Sequence, residues 1–323
     1  MNREGAKFAK KSAKISFFHL PHPRQVKKRI VSWRTWRLGG LDLYFSPWAD
    51  GLMAASWQRI QRRMDPRGLI TAMRTLTAVP VGGKDAKRFS DSLIWFPLVG
   101  LFLGLLFWAT GTVWNWVIGK EWPGGGAVTI LAAQILLTRA LHMDGFADWA
   151  DGLGGSRDRG TRLTIMRDHH LGAFGAIAVV FDFLAKFVVL ERLLVSGGLP
   201  VIVPVAIISR AAMVSLMRNL PYARAGEGMA RPFMDDLSRG QETAAKTITF
   251  CLCLFFGLLG VGLLAAGWII VRILATSFRR GFGGITGDLL GATNEMMEIL
   301  LLWFCACSGD LVLPYLGWEW LWR

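Results

Sequence analysis

Three carboxylates, Asp144, Asp148 and Asp151, stand at i, i+4 and i+7 in the stretch LHMDGFADWADGLGG, residues 141–155. On a helix that spacing puts all three on one face. Like charges at such spacing repel, so the arrangement is destabilising unless a cation neutralises it. A hard divalent ion with oxygen ligands, Mg²⁺, is the natural partner. A solvated acidic face is the ordinary meaning of a charge run. Here apolar segments precede and follow the run, and ionisable residues beside membrane spans are functional candidates. The same stretch continues into Arg157, Arg159, Arg162, Arg167, Asp168, His169 and His170.

Two further polar segments carry matching chemistry. PYARAGEG, residues 221–228, supplies Arg224, and Arg231 follows. GGITGDLLGATNEMMEI supplies Thr286, Asp288, Glu295 and Glu298. The last three lie at i, i+7 and i+10, again one helical face. Carboxylates for metal ions, with arginines for phosphate oxygens, are the equipment of phosphoryl transfer. Arginines in loops beside spans also follow from the positive-inside rule alone. Lys186 and Arg210 differ, because they fall inside apolar runs where a cation needs a partner. Asp182, four residues before Lys186, can pair with it. Arg210 is expected to snorkel. His142 reads equally as a hydrogen-bonded support or a ligand.

The elements that must hold these residues are membrane helices. The chain has 323 residues, 53% hydrophobic, with mean hydropathy +0.38. Apolar runs of spanning length lie at Leu93 to Ile118, Ala127 to about Met143, Leu171 to Leu190, Leu199 to Leu216, Thr247 to Val271 and near Met296 to Leu313. The net charge is +14, and 19 of the 37 Lys and Arg precede residue 93. Sidedness explains that arm, so no nucleic-acid partner is invoked; contact with membrane lipid is expected. The four cysteines all lie in apolar runs and read as buried small hydrophobes.

Residues 1–63 are basic and without a spanning run; they read as a disordered extension or an early start, with Met53 and Met64 as alternative starts. Residues 64–323 form one transmembrane catalytic domain. RGLITAMRTLTAVPVGG reads as a surface amphipathic helix ending at Pro80. The span containing Gly100 and Gly104 has a small-xxx-small face for close helix contact. Arg272, Arg279 and Arg280 want the inner side, so residues 242–278 are read as a hairpin of two short helices turning at Gly257, Gly260 and Gly262. The fold class is all-α and polytopic, with about seven transmembrane helices and the three polar loops on the cytoplasmic face.

With these motifs in view, the chain resembles the cobalamin-5′-phosphate synthase (adenosylcobinamide-GDP ribazoletransferase) family. The likeness rests on LTAVPVGG with FPLVGLFLG, on TRALHMDGFADWADGLGG, on IMRDHHLGAFG, and on PYARAGEG with GGITGDLLGATNE. It covers roughly residues 69 to 310. The resemblance implies a transferase of the bacterial inner membrane acting late in cobalamin biosynthesis with Mg²⁺. Adenosylcobinamide-GDP and α-ribazole, or its 5′-phosphate, would give adenosylcobalamin, or its 5′-phosphate, and GMP. Other late cobalamin-assembly enzymes are candidate partners. On this chain the resemblance implies Asp144, Asp148 and Asp151 as Mg²⁺ ligands. Asp148 and Asp288 become the catalytic carboxylates. Arg167, Asp168 and Arg224 become contacts to phosphate or nucleotide. The aspartate spacing also looks like that of CDP-alcohol phosphotransferases, whose full signature is not met. A transporter is the reading from another class; it would place ionisable groups near the bilayer midplane.

Overall fold

The computed structural model describes residues 34–38, 41–45, 65–226 and 228–317. The chain divides into two units, Met1–Gln58 and Arg59–Arg323. In the first, β1 (Arg34–Leu38) and β2 (Leu41–Phe45) pair antiparallel, with Arg34 opposite Phe45 and Leu38 opposite Leu41. This pairing was not expected. The rest of the expected disordered extension lies outside the described residues.

The second unit is built from helices joined by loops among its described residues. It begins with α1 (Pro66–Leu76), capped by the Asp65 carboxylate and started by Pro66 at its first position. The loop after it is held by Arg74, which donates to the Val81 and Gly83 carbonyls and pairs with Asp85 at 2.9 Å. A 3-10 turn, Phe89–Trp95, leads into α2 (Phe96–Val117). Asp91 in that turn is buried and pairs with Arg88. It also accepts from the Gln241 amide, 150 residues away.

Next come α3 (Pro123–Thr138) and α4 (Leu141–Gly155), which meet at a 91° bend. The sequence suggested one span flowing into the aspartate stretch. Instead Arg139 and Ala140 are both left-handed, each at φ 54°. Neither is glycine, so each costs about 1–2 kcal/mol. The kink swings the aspartate helix sharply away from the direction of α3.

The chain continues through α5 (Arg159–Ile165), α6 (Ala173–Ser196), α7 (Ile202–Asn219) and the short α8 (Arg231–Met234). Then follow α9 (Arg239–Leu254), α10 (Gly257–Phe282) and α11 (Gly287–Val312). Glycines in left-handed geometry end α6 (Gly197) and α10 (Gly283). A capping box between Ser238 and Gln241 starts α9.

α7 is the central helix and is buried along nearly its whole length. Against it lies α2, as its small-xxx-small face suggested. A Cβ on Gly100 would sit 2.4 Å from the Ala206 carbonyl oxygen, and one on Gly104 would sit 2.8 Å from the Val203 Cα. Only glycine permits that approach.

Five helical segments are long and apolar enough to cross a bilayer, or six if the bent α3–α4 pair is one span. The expected hairpin of two short helices is met only in part: the chain does break just before Gly257, but Gly260 and Gly262 lie inside α10, one 26-residue helix. The first member of the pair, α9, has 16 residues, short of the roughly 20 a spanning helix needs. Of the cysteines, Cys253 and Cys305 are buried, whereas Cys251 and Cys307 are exposed.

Candidate active site

Two glycines set the site. A Cβ on Gly145 of α4 would stand 2.6 Å from the Asp288 carbonyl oxygen, and one on Gly291 of α11 would stand 3.0 Å from the His142 carbonyl oxygen. The aspartate helix and the start of α11 therefore touch backbone to backbone. This contact brings Asp148 within coulombic range of Asp288, Asp144, Arg224 and Asp151.

The second and third polar loops are stitched together by a short parallel pairing of Tyr222 with Ile285. The Ile285 amide donates to the Pro221 carbonyl, and the Ala223 amide donates to the Ile285 carbonyl, both at 2.9 Å. Gly284 makes the approach feasible, since any Cβ there would lie 2.1 Å from the Pro221 oxygen. Arg224 then reaches all three loops. It donates to Asp288 Oδ2 at 2.6 Å and to the Met166 carbonyl at 3.3 Å. Its Nε is buried without an acceptor. A buried charged donor without a partner is costly, and an anionic oxygen is the ligand it suits.

The three aspartates of α4 have different surroundings. Asp144 is exposed and Asp148 half-buried. Asp151 is buried, and its two oxygens accept from the amides of Gly172 and Gly175 at 2.8 Å each. It anchors the start of α6, where the helix dipole favours an anion. Both glycines are needed, because a Cβ on either would fall 2.3 Å from an Asp151 oxygen.

Arg167 and Asp168 are exposed on the connection to α6, next to the Met166 that Arg224 touches. Asp168 Oδ1 lies 2.6 Å from His170 Nδ1, and the His170 amide also donates to it. These hydrogen bonds hold the Asp168 carboxyl below its ordinary value. Arg162 braces the loop through the Ser156 and Gly281 carbonyls, and Arg159 through the Arg280 carbonyl.

The second acidic face divides. Asp288 joins the site, but Glu295 and Glu298 point into a buried ion cluster. Lys186 pairs with Glu295, with Glu298 at 3.2 Å and with Asp182 at 3.4 Å. Arg210 is 1% exposed, bonds Glu298 and Ser209, and does not snorkel. Sequence reasoning flagged each residue but not their union. The signal was there: the cations Lys186 and Arg210 and the acidic pair Glu295 and Glu298 at i, i+3, all inside apolar helices, imply complementary faces. His142 is buried at the edge of this cluster with Nε2 unpartnered. Beside it is a cavity of about 20 Å³, room for one water and not for a transported solute.

The family model "Cobalamin-5-phosphate synthase" matches residues 68–306. The chain belongs to the cobalamin-5-phosphate synthase family. An adenosylcobinamide-GDP ribazoletransferase of Chlorobium phaeobacteroides (strain BS1) is 44% identical over 246 residues, 73% of this chain and 95% of that protein. The protein of the same name from Chlorobaculum parvum is 40% identical, over 74% of this chain and 94% of its own length. That of Syntrophobacter fumaroxidans is 39% identical, over 73% and 92%. No solved structure matches the chain. The matched region begins after the basic extension. It takes in all three polar loops.

Proposed function

We propose that this chain joins adenosylcobinamide-GDP to α-ribazole, or to α-ribazole 5′-phosphate, in the last steps of cobalamin biosynthesis. The reaction takes place on the cytoplasmic face of the bacterial inner membrane. The family membership and the named relatives support the substrates. The observation in this chain that carries the chemistry is Arg224, an orphan buried donor among carboxylates at the meeting of three loops.

The ribazole hydroxyl attacks the phosphorus attached to cobinamide. A new P–O bond forms, the diphosphate bridge breaks, and GMP leaves with the bridging oxygen. Arg224 holds non-bridging oxygens through Nε, while Asp288 keeps its guanidinium in place. Asp288 binds Arg224 through Oδ2, and its other oxygen receives the hydroxyl proton. Arg167 and Asp168 lie at the rim, where nucleotide contacts are made.

Mg²⁺ suits the donor set, because three carboxylates surround that of Asp148 with one guanidinium to offset them. Among the described residues no three acidic, His or Cys side chains already form a coordination cage. Mg²⁺ commonly takes one or two carboxylates, several waters and substrate phosphates. Asp144 and Asp148 are the available ligands, and Asp151 has only its remaining lone pairs to offer. When bound, the ion neutralises charge on the diphosphate.

Membranes containing the full chain test this reading. Supplied with adenosylcobinamide-GDP, α-ribazole and Mg²⁺, they yield a corrinoid carrying ribazole and an equal amount of GMP. Chelation of Mg²⁺ stops both. Absence of product from folded, inserted protein contradicts the reaction. Product that persists after chelation contradicts the metal.

A further inference from the structure

A crevice of about 480 Å³ opens between α7, α9 and α10, away from the candidate site. Its walls are apolar, formed by Ile208, Phe250 and Leu264 among others, and its polar groups gather at one end: Asn219, Lys246 and Arg272. Along α10 the lining runs from Val261 to Arg272, about 16 Å at the rise of a helix. That is about half the 30 Å thickness of a bilayer core, one leaflet.

The polar end carries unneutralised charge. Arg272 lies over the Trp268 ring at 5.6 Å and has no carboxylate partner among the described residues. Trp268 is exposed, as are Ile269 and Ile273 beside it. The Trp268–Arg272 pair also lines a second, wider groove of about 900 Å³ that contains Arg280. Lys246 by contrast is paired with Glu242 at 2.7 Å. The surface thus offers an apolar slot one leaflet deep, ending in an aromatic ring and the Arg272 guanidinium. Trp and Arg at that depth match a headgroup boundary.

We propose that this crevice holds an anionic phospholipid, with one acyl chain between α7, α9 and α10 and the phosphate against Arg272. The complementarity is of both kinds: apolar length for the chain and positive charge for the headgroup. A neutral phospholipid fills the slot but gains less at the rim, where a basic group is worth about 1 kcal/mol toward anionic lipid. The proposal requires a membrane-embedded chain and does not depend on the reaction.

Native mass spectrometry of the purified full chain from mild detergent tests it, with phosphatidylglycerol and phosphatidylcholine added in separate samples. The wild type retains one phosphatidylglycerol about fivefold more than phosphatidylcholine. Arg272→Gln removes that preference, and Arg272→Lys restores most of it. Ala265→Trp, which fills the crevice from an exposed position, lowers retention of both lipids. A thermal midpoint within a few degrees of wild type shows that each variant is folded. Equal retention of the two lipids, or a preference unchanged by Arg272→Gln, overturns the proposal. A lipid-free dimer broken by Ala265→Trp overturns it too, and gives the crevice to a second copy of the chain.

Discussion

Asp148→Asn lowers kcat/KM about a thousandfold while the protein stays folded and inserted. Asn keeps the shape of the side chain and removes its charge. Asp148 is half-buried, at the centre of a group formed by Asp144, Asp151, Asp288 and Arg224. Its work is electrostatic, and the loss corresponds to about 4 kcal/mol of transition-state stabilisation. Steady-state rates in reconstituted vesicles measure it. A fall of less than about tenfold would remove Asp148 from the chemistry. Asp151→Asn is the informative contrast, although the two residues look alike in sequence. Asp151 accepts two backbone amides with its two oxygens. An asparagine can satisfy one of them and turns its own NH₂ toward the other. The cost is then chiefly in folding, about 1–3 kcal/mol, read as a lower thermal midpoint.

Lys186→Met costs about 3–5 kcal/mol of stability, the usual penalty for breaking a buried ion pair from one side. Three acidic residues, Asp182, Glu295 and Glu298, surround the Lys186 ammonium, which is 3% exposed. Without it the ion pair that remains among the described residues is Arg210 with Glu298, and burial in a membrane protein gives the acidic groups little water to turn to. Thermal unfolding in detergent measures the loss. Adding Glu295→Gln to Lys186→Met recovers part of it, because the pair is coupled. A Lys186→Met protein as stable as wild type would show that the cluster carries no net stability.

Local patterns in the sequence were enough to place the spans near residues 93–118, 171–190 and 199–216, because long apolar runs have few alternatives. Helical spacing likewise put Asp144, Asp148 and Asp151 on one helix, and the Gly100–Gly104 face against a neighbour. What local pattern could not show was which helix meets which. The spacing of Asp288, Glu295 and Glu298 suggested one shared acidic face, yet α11 carries Asp288 at its first turn and the two glutamates deeper, opposite Lys186 and Arg210. The bend at Arg139–Ala140 was hidden for a different reason. It places non-glycine residues in left-handed geometry, against their local preference, and tertiary contact imposes it. The Tyr222–Ile285 pairing joins segments about sixty residues apart and has no local signature beyond Gly284.

One measurement goes most directly to the claim that these three loops carry out phosphoryl transfer to a ribazole hydroxyl. α-Ribazole bearing a heavy-oxygen label in the attacking hydroxyl is supplied with adenosylcobinamide-GDP, and both products are weighed by mass spectrometry. The site described here predicts the label entirely in the corrinoid product, and none in GMP. Label lost to water would mean that the bond formed is to ribazole carbon, and label in a guanosine phosphate–ribazole ester, with adenosylcobinamide phosphate released, would mean that the guanosine phosphorus is attacked. Either result contradicts the proposed transfer.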